Sequence, residues 1–170
     1  MIIGPAAVGK SSLIRRFVEN KFSMAYKFTI GVDFMSKVVE YETGYSAKLT
    51  MWDIGGQERF KILRRNFYEG TNGALVVFDL SRAQTFTKMK EWLSDLKQTI
   101  EDDIPIVIIG NKLDLIPDVG EVTDRTEVKQ FAETENALLI ETSAKTGDNV
   151  ETAFLELTRN IIKKHSENGT

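Results

Sequence analysis

Eight residues near the start of the chain, Gly4-Pro5-Ala6-Ala7-Val8-Gly9-Lys10-Ser11, fit the pattern G-x-x-x-x-G-K-[ST]. These residue types suit the cradling of a polyphosphate. A triphosphate needs many donors at close range. Gly4 and Gly9 let the backbone turn with few Cβ clashes and aim its N–H groups inward. Lys10 adds a point charge that can reach a β- and a γ-phosphate, and Ser11 offers a hydroxyl to Mg²⁺. Ala6, Ala7, Val8 and Ser12 complete the stretch that would line the phosphates. The helix expected to start here points its positive end at the anion. Taken alone, the pattern also fits a glycine turn before an ordinary helix.

Three further stretches carry chemistry. In Asp53-Ile54-Gly55-Gly56-Gln57-Glu58, Asp53 can hold a Mg²⁺ water and the N–H of Gly56 can meet a γ-phosphate. Gln57 can then orient an attacking water. Asp-x-x-Gly by itself is usually a turn. In Asn111-Lys112-Leu113-Asp114, the Asp114 carboxylate can accept two N–H bonds from the Watson–Crick edge of guanine, a pair that adenine lacks. A site built on such bonds discriminates strongly. The stem of Lys112 can cover the base, and Asn111 can tie neighbouring loops together. In Thr142-Ser143-Ala144-Lys145, a backbone N–H can reach the guanine O6, although four residues are too short to mean much alone. Two single residues join this set. Thr29 could place its hydroxyl on Mg²⁺ while a γ-phosphate is present, and Phe22 could stack edge-on against the base. Both types are also common in loops and cores.

These residues need elements to position them. Met1 to Ile3 is a very short apolar run for the strand that should precede such a loop. Either the strand is short or the chain has lost its beginning. Lys10 to Asn20 reads as a helix with Leu13, Ile14, Phe17 and Val18 on one face. Lys21 to Ile30 reads as a loop. Val32–Tyr41 and Ala47–Ile54 read as a hairpin turning at Thr43-Gly44, followed by a short helical stretch near Ile62–Tyr68. Ala74–Phe78 and Ile106–Ile109 are continuous apolar runs, as strands buried on both faces should be. Arg82–Ile100 and Thr123–Thr134 read as helices, with Thr123 a cap for the second. Ala137–Glu141 is the last strand and Asp148–Lys164 the last helix. Ser166 to Thr170 is a polar, frayed ending. Strands alternating with helices imply an α/β fold with a doubly wound, mostly parallel sheet, which binds ligands at the carboxyl ends of its strands.

The totals agree. The 170 residues suit one domain, and 42% apolar with 28% charged residues is ordinary for a soluble globular protein. A net charge of −3 does not favour general nucleic-acid binding. With no cysteine, the chain as given has no disulfide framework, cysteine zinc site, thiol nucleophile, prenyl anchor or palmitoyl anchor. No run is long enough to span a bilayer and no signal-peptide pattern opens the chain. The expected home is the cytoplasm.

With Gly4–Ser11, Thr29, Asp53–Gln57, Asn111–Asp114 and Ser143–Lys145 in this order, the chain resembles the Ras-superfamily small GTPases over essentially its whole length. It looks most like the Rab branch. The residues behind that are Ile30-Gly31-Val32-Asp33-Phe34, Lys48-Leu49-Thr50-Met51-Trp52-Asp53, Glu58-Arg59-Phe60 and Asn66-Phe67-Tyr68-Glu69-Gly70. The resemblance implies a P-loop G domain over residues 1–165. Its sheet would have six strands with one antiparallel edge strand, and about five helices. It implies a Mg²⁺-dependent GTP-binding switch. GTP would draw Tyr26–Val32 and Gly55–Tyr68 onto the γ-phosphate through Thr29 and Gly56, and hydrolysis would release them. Gln57 and Lys10 would be the catalytic pair, and Ser11, Thr29 and Asp53 the metal set. Effectors would read Tyr26–Phe34 and Gly55–Tyr68. Phe34, Trp52 and Tyr68 would be either the aromatic triad shown to effectors or packed core residues. An exchange factor and an activating protein would be partners, with peripheral membrane contact through partners. Without an arginine in cis, hydrolysis would run at rates on the order of 10⁻⁴ to 10⁻² s⁻¹.

The departures are specific. Ile54-Gly55 stands where Rab proteins usually have Thr-Ala, and Asp-Ile-Gly-Gly-Gln looks more like the Arf and Arf-like branch. Ala6 stands where Ras has glycine, and its methyl could crowd an activating protein's arginine. The lack of a lipidation cysteine suits a trimmed chain or a member without an anchor, such as a prokaryotic or archaeal relative. The rivals are a non-hydrolysing scaffold on the same fold, against which Gln57 and Thr29 argue, and an ATPase or kinase, against which Asn111–Asp114 argues.

Overall fold

The computed structural model describes residues 1–24, 29, 31–56 and 65–168. Its strands are β1 (Ile2–Ile3), β2 (Val32–Glu42), β3 (Tyr45–Ile54), β4 (Ala74–Asp79), β5 (Ile106–Asn111) and β6 (Leu138–Glu141). Its helices are α1 (Lys10–Glu19), α2 (Ala83–Thr99), the short α3 (Ile116–Val119), α4 (Arg125–Thr134) and α5 (Val150–Asn168). One six-stranded sheet runs in the order β2-β3-β1-β4-β5-β6. Only the β2–β3 pair is antiparallel among its pairings. The fold is the α/β doubly wound one that the strand–helix alternation implies.

The continuous apolar runs sit at the centre of the sheet because they must bury both faces. Every residue of β4 and β5 is buried. Ala74, Val76 and Phe78 pack with Phe86, Met89, Trp92 and Leu96 of α2 on one face. Leu75 and Val77 pack with Leu13, Ile14 and Phe17 of α1 and Phe154 of α5 on the other. Phe17 and Phe154 stack with ring centroids 4.2 Å apart. Full burial of such side chains is worth about 1.5–3 kcal/mol each. These two layers hold the three helices against the strands whose ends line the cavity.

Several boundaries differ from the pattern-based expectation. The hairpin is longer, with a tight turn at Thr43-Gly44. The last helix runs on through Ser166 to Asn168, where a frayed tail is expected from the polar sequence. Leu113–Leu115 forms a 3-10 turn leading into α3, both absent from the sequence reading. Thr123 does not cap α4. Its hydroxyl is buried and donates to the Leu80 carbonyl at 2.9 Å. Asp124 caps instead, accepting from the N–H groups of Thr126 and Glu127. A carboxylate suits the positive helix end better, and Thr123 is committed to satisfying a buried carbonyl. The helical stretch expected near Ile62–Tyr68 begins outside the described residues, and so do Tyr26 and Gln57.

Candidate nucleotide-binding site

A cavity of about 630 Å³ opens at the carboxyl end of the parallel strands. Ala6, Ala7, Gly9, Lys10, Ser11 and Ser12 line it, from the loop after β1 and the start of α1. Phe22, Thr29, Asp53 and Gly56 line it as well, and so do Asn111, Lys112, Asp114, Ala144 and Lys145 from the loops after β5 and β6. Gly4, Val8 and Ser143 support this lining from behind. The Gly4 carbonyl takes a bond from Lys10 Nζ at 2.8 Å, and the Pro5 carbonyl takes another at 3.0 Å. Lys10 thus bridges its own loop. Gly9 has φ 101°, and a Cβ there would lie 2.3 Å from Asn111 Nδ2. Only glycine fits that conformation and that approach.

At the end of the cavity nearest the start of α1, three oxygens converge. Ser11 Oγ lies 2.9 Å from Thr29 Oγ1, Thr29 Oγ1 donates to Asp53 Oδ2 at 3.1 Å, and Ser11 Oγ also donates to Asp53 Oδ2. Asp53 Oδ1 is buried with no hydrogen-bond partner among the described residues. One carboxylate and two hydroxyls form a hard-oxygen set that fits Mg²⁺, which keeps several waters and shares phosphate oxygens. Among the described residues, no three His, Asp or Glu side chains form an alternative metal cluster. Gly56 lies against the loop after β1, since a Cβ on it would meet the Ala6 nitrogen at 2.5 Å. Gln57, the proposed water-positioning residue, lies outside the described residues.

At the other end, Asn111 ties three segments together. Its Nδ2 donates to the Val8 carbonyl at 2.8 Å, and its Oδ1 accepts from Thr142 Oγ1 at 3.0 Å and the Ala144 N–H at 3.2 Å. Ser143 Oγ donates to Asp114 Oδ1 at 2.6 Å, and Lys145 Nζ lies 3.8 Å from Asp114 Oδ2. The Asp114 carboxylate is therefore fixed by the last loop. Phe22 is 37% exposed on the cavity wall.

The aromatic expectation needs one correction. Phe34 and Trp52 are exposed and their ring centroids lie 5.7 Å apart. Tyr68 is fully buried in the core. Its neighbour Phe67 is exposed instead, 6.4 Å from Trp52. In the turn that runs from Asn66, Phe67 is exposed while Tyr68 is buried. The exposed stripe is Phe34–Trp52–Phe67.

Three residues outside the motifs brace the loops of the site. Asp79, at the end of β4, is fully buried and pairs with Lys112 Nζ at 2.8 Å and Arg82 Nε at 2.8 Å. Arg82 Nη2 also donates to the Ala7 carbonyl at 2.9 Å. Burial pushes the Asp79 carboxyl up. Bonds from Lys112, Ser81 and Arg82 outweigh that and hold it below its ordinary range. The signal was available: a carboxylate closing an apolar strand in a doubly wound sheet, as Asp53 does. Arg16 of α1 likewise braces the last loop, donating to the carbonyls of Ala144 and Lys145.

A glycine-rich loop between a parallel strand and a helix, with a hydroxyl–carboxylate cluster at one end of the cavity and a fixed carboxylate at the other, defines a P-loop nucleotide-binding domain. Comparison with known proteins refines this. The family signature described as "Ras: Ras family" matches residues 1–163. The chain is 43% identical over 164 residues to "Ras-related protein Rab-4B" of Rattus norvegicus and of Homo sapiens, covering 96% of this chain and 76% of theirs. It is 42% identical over 164 residues to "Ras-related protein Rab-4" of Dictyostelium discoideum, covering 96% of this chain and 78% of that one. The chain belongs to the Ras family and is similar to its Rab branch. It is a GTP-binding switch that hydrolyses GTP to GDP and phosphate. Such switches act through effector, exchange and activating partners. No helix among the described residues is long and apolar enough to cross a membrane.

Proposed function

We propose that residues 1–165 form one G domain whose loop 4–11 cradles the phosphates of GTP while Asp114 reads the guanine edge. Lys10 neutralises charge on the β- and γ-phosphates as it develops. Ser11, Thr29 and Asp53 would hold Mg²⁺, which would supply positive charge to offset that of the phosphates. Gln57 orients the attacking water, and Gly56 gives its N–H to the γ-phosphate. Phe22 flanks the base, the stem of Lys112 covers it, and loop 143–145 closes around it. The observation that supports this reading most is the meeting of Ser11, Thr29 and Asp53, whose Oδ1 has no partner among the described residues, at the end of a cavity whose far wall carries Asp114.

The same proposal covers the partners. The segments 26–34 and 55–68 change with the state of the nucleotide, and effectors dock on the Phe34–Trp52–Phe67 stripe beside them. The setting is vesicle trafficking or its prokaryotic counterpart, with the chain cytoplasmic and recruited to membranes through partners. The test is to denature freshly purified protein and identify the released nucleotide by chromatography. Stoichiometric GDP supports binding and turnover together. Retained GTP supports the site and argues against hydrolysis at the proposed rate. ATP, or an empty site, overturns the assignment.

A further inference from the structure

We propose that Arg82 is a positioning residue that holds the phosphate loop in its binding shape and so sets how long the nucleotide stays. The proposal rests on the reading of loop 4–11 as the phosphate site.

The strained point of that loop is Ala7. Its φ is 63°, in the left-handed region that residues with a Cβ disfavour. Left-handed residues in such a loop shape the concave backbone that takes anions. A residue held there against its preference needs an outside restraint. The described structure supplies one. Arg82 Nη2 donates to the Ala7 carbonyl at 2.9 Å.

The guanidinium is itself immobilised. Its Nε sits on Asp79 Oδ2 at 2.8 Å. Asp79 Oδ1 is fixed in turn by the Ser81 N–H at 2.9 Å and the Ser81 hydroxyl at 2.6 Å. The Arg82 backbone is pinned too, its N–H donating to the Asp79 carbonyl at 3.0 Å and its carbonyl accepting from Thr85 Oγ1 at 2.7 Å. A planar fork with one edge on a buried carboxylate has its other edge aimed at one place. That place is Ala7. The same Asp79 Oδ2 also takes Lys112 Nζ. One carboxylate therefore braces the phosphate loop and the base loop together. Arg82 lines no part of the cavity and acts through Ala7, 75 residues away in sequence.

The experiment measures release of a fluorescent GDP analogue from the full chain, chased with excess GDP. Arg82→Ala should release it about tenfold faster, equivalent to about 1.4 kcal/mol. Glycine adopts positive φ unaided. In an Ala7→Gly background the same substitution should therefore change release by less than about threefold. Arg82→Lys keeps the charge but loses the fork, and should release at least about threefold faster than wild type. An unchanged rate in Arg82→Ala overturns the clamp, and so does an equal fold-change in both backgrounds. Wild-type release in Arg82→Lys overturns it too, since charge alone would then suffice. If Arg82→Ala does not fold, Arg82→Lys in the two backgrounds carries the same comparison. A wild-type chain that does not retain the analogue overturns the phosphate-loop reading and the clamp with it. Retention with unchanged variants overturns the clamp alone.

Discussion

Ser11 Oγ and Thr29 Oγ1 lie 2.9 Å apart, although one opens a helix and the other sits in a loop before the hairpin. Asp53 Oδ2 joins both. Three small polar groups from three segments gather around a single point, with Asp53 Oδ1 buried and without a hydrogen-bond partner among the described residues. A divalent cation sharing phosphate oxygens would satisfy that arrangement. Ser11→Asn puts a bulkier amide where the hydroxyl stood. It should cut Mg²⁺-dependent GTP affinity by at least about tenfold and GDP affinity by less. Titration calorimetry with both nucleotides checks this, and equal losses would argue against the ligand role.

Asp114 is fixed by Ser143, whose hydroxyl donates to Oδ1 at 2.6 Å. In Asp114→Asn the amide oxygen can keep that bond, so the NH₂ stands where Oδ2 was. A donor then faces the donors of guanine. GTP affinity should fall on the order of 10²- to 10⁴-fold, and xanthosine nucleotides, which present an acceptor, should gain. A retained guanine preference in competition binding would remove Asp114 from the base-reading role.

Much of this was legible in the chain. Ala74–Phe78 and Ile106–Ile109 read as strands buried on both faces, and a doubly wound sheet places its chemistry at the ends of such strands. Glycine spacing marked the phosphate loop because backbone approach there excludes a Cβ. What stayed hidden depends on long-range contact. Arg82 reaches Ala7 across the fold, and nothing local marks it. Phe67 and Tyr68 are both aromatic and adjacent, so only the phase of the turn decides which is exposed. Thr123 and Asp124 are both good caps, and the unmet carbonyl of Leu80 decided between them.

Gly55 stands where the Rab branch usually has alanine, and its surroundings give a reason. A Cβ there would lie 2.7 Å from the Thr29 carbonyl oxygen and 3.1 Å from that of Gly31. The Gly55 N–H meanwhile donates to the Gly31 carbonyl at 2.9 Å. The two loops touch backbone to backbone. Gly55→Ala should push them apart and destabilise the nucleotide-bound protein by about 1–3 kcal/mol. Thermal unfolding and amide exchange at Gly31 and Gly55 test it, and wild-type behaviour in both would mean the contact is not tight in solution.

Asp79 makes stability depend on acid. Its folded-state pKa lies below the ordinary 3.8 because bonds from Lys112, Ser81 and Arg82 outweigh the cost of burial. A carboxyl held low contributes stability that is fully present above its unfolded pKa and is lost as pH falls through the folded one. Asp79→Asn removes that contribution at every pH. The stability gap between wild type and variant, both saturated with GDP, should be widest near pH 7. It should narrow once pH drops below about 4. Urea unfolding across that range checks it, and a gap constant in pH would mean the carboxyl titrates alike in both states.

Gln57 lies outside the described residues, and its neighbour Gly56 is the last described residue before it. Gly56 packs against the backbone of Pro5 and Ala6, close enough that a Cβ would meet the Ala6 nitrogen at 2.5 Å. The proposal for the next residue, Gln57, is that it orients the attacking water. Its amide can both accept from and donate to a water. Leucine has similar bulk and no such groups. Gln57→Leu should therefore leave GDP and GTP affinity nearly unchanged while slowing single-turnover GTP hydrolysis by at least about tenfold. Unaltered hydrolysis would show that the water is positioned by other groups. A parallel loss of affinity would instead place Gln57 in ground-state binding, because an interaction made only in the transition state lowers the rate and spares the affinity.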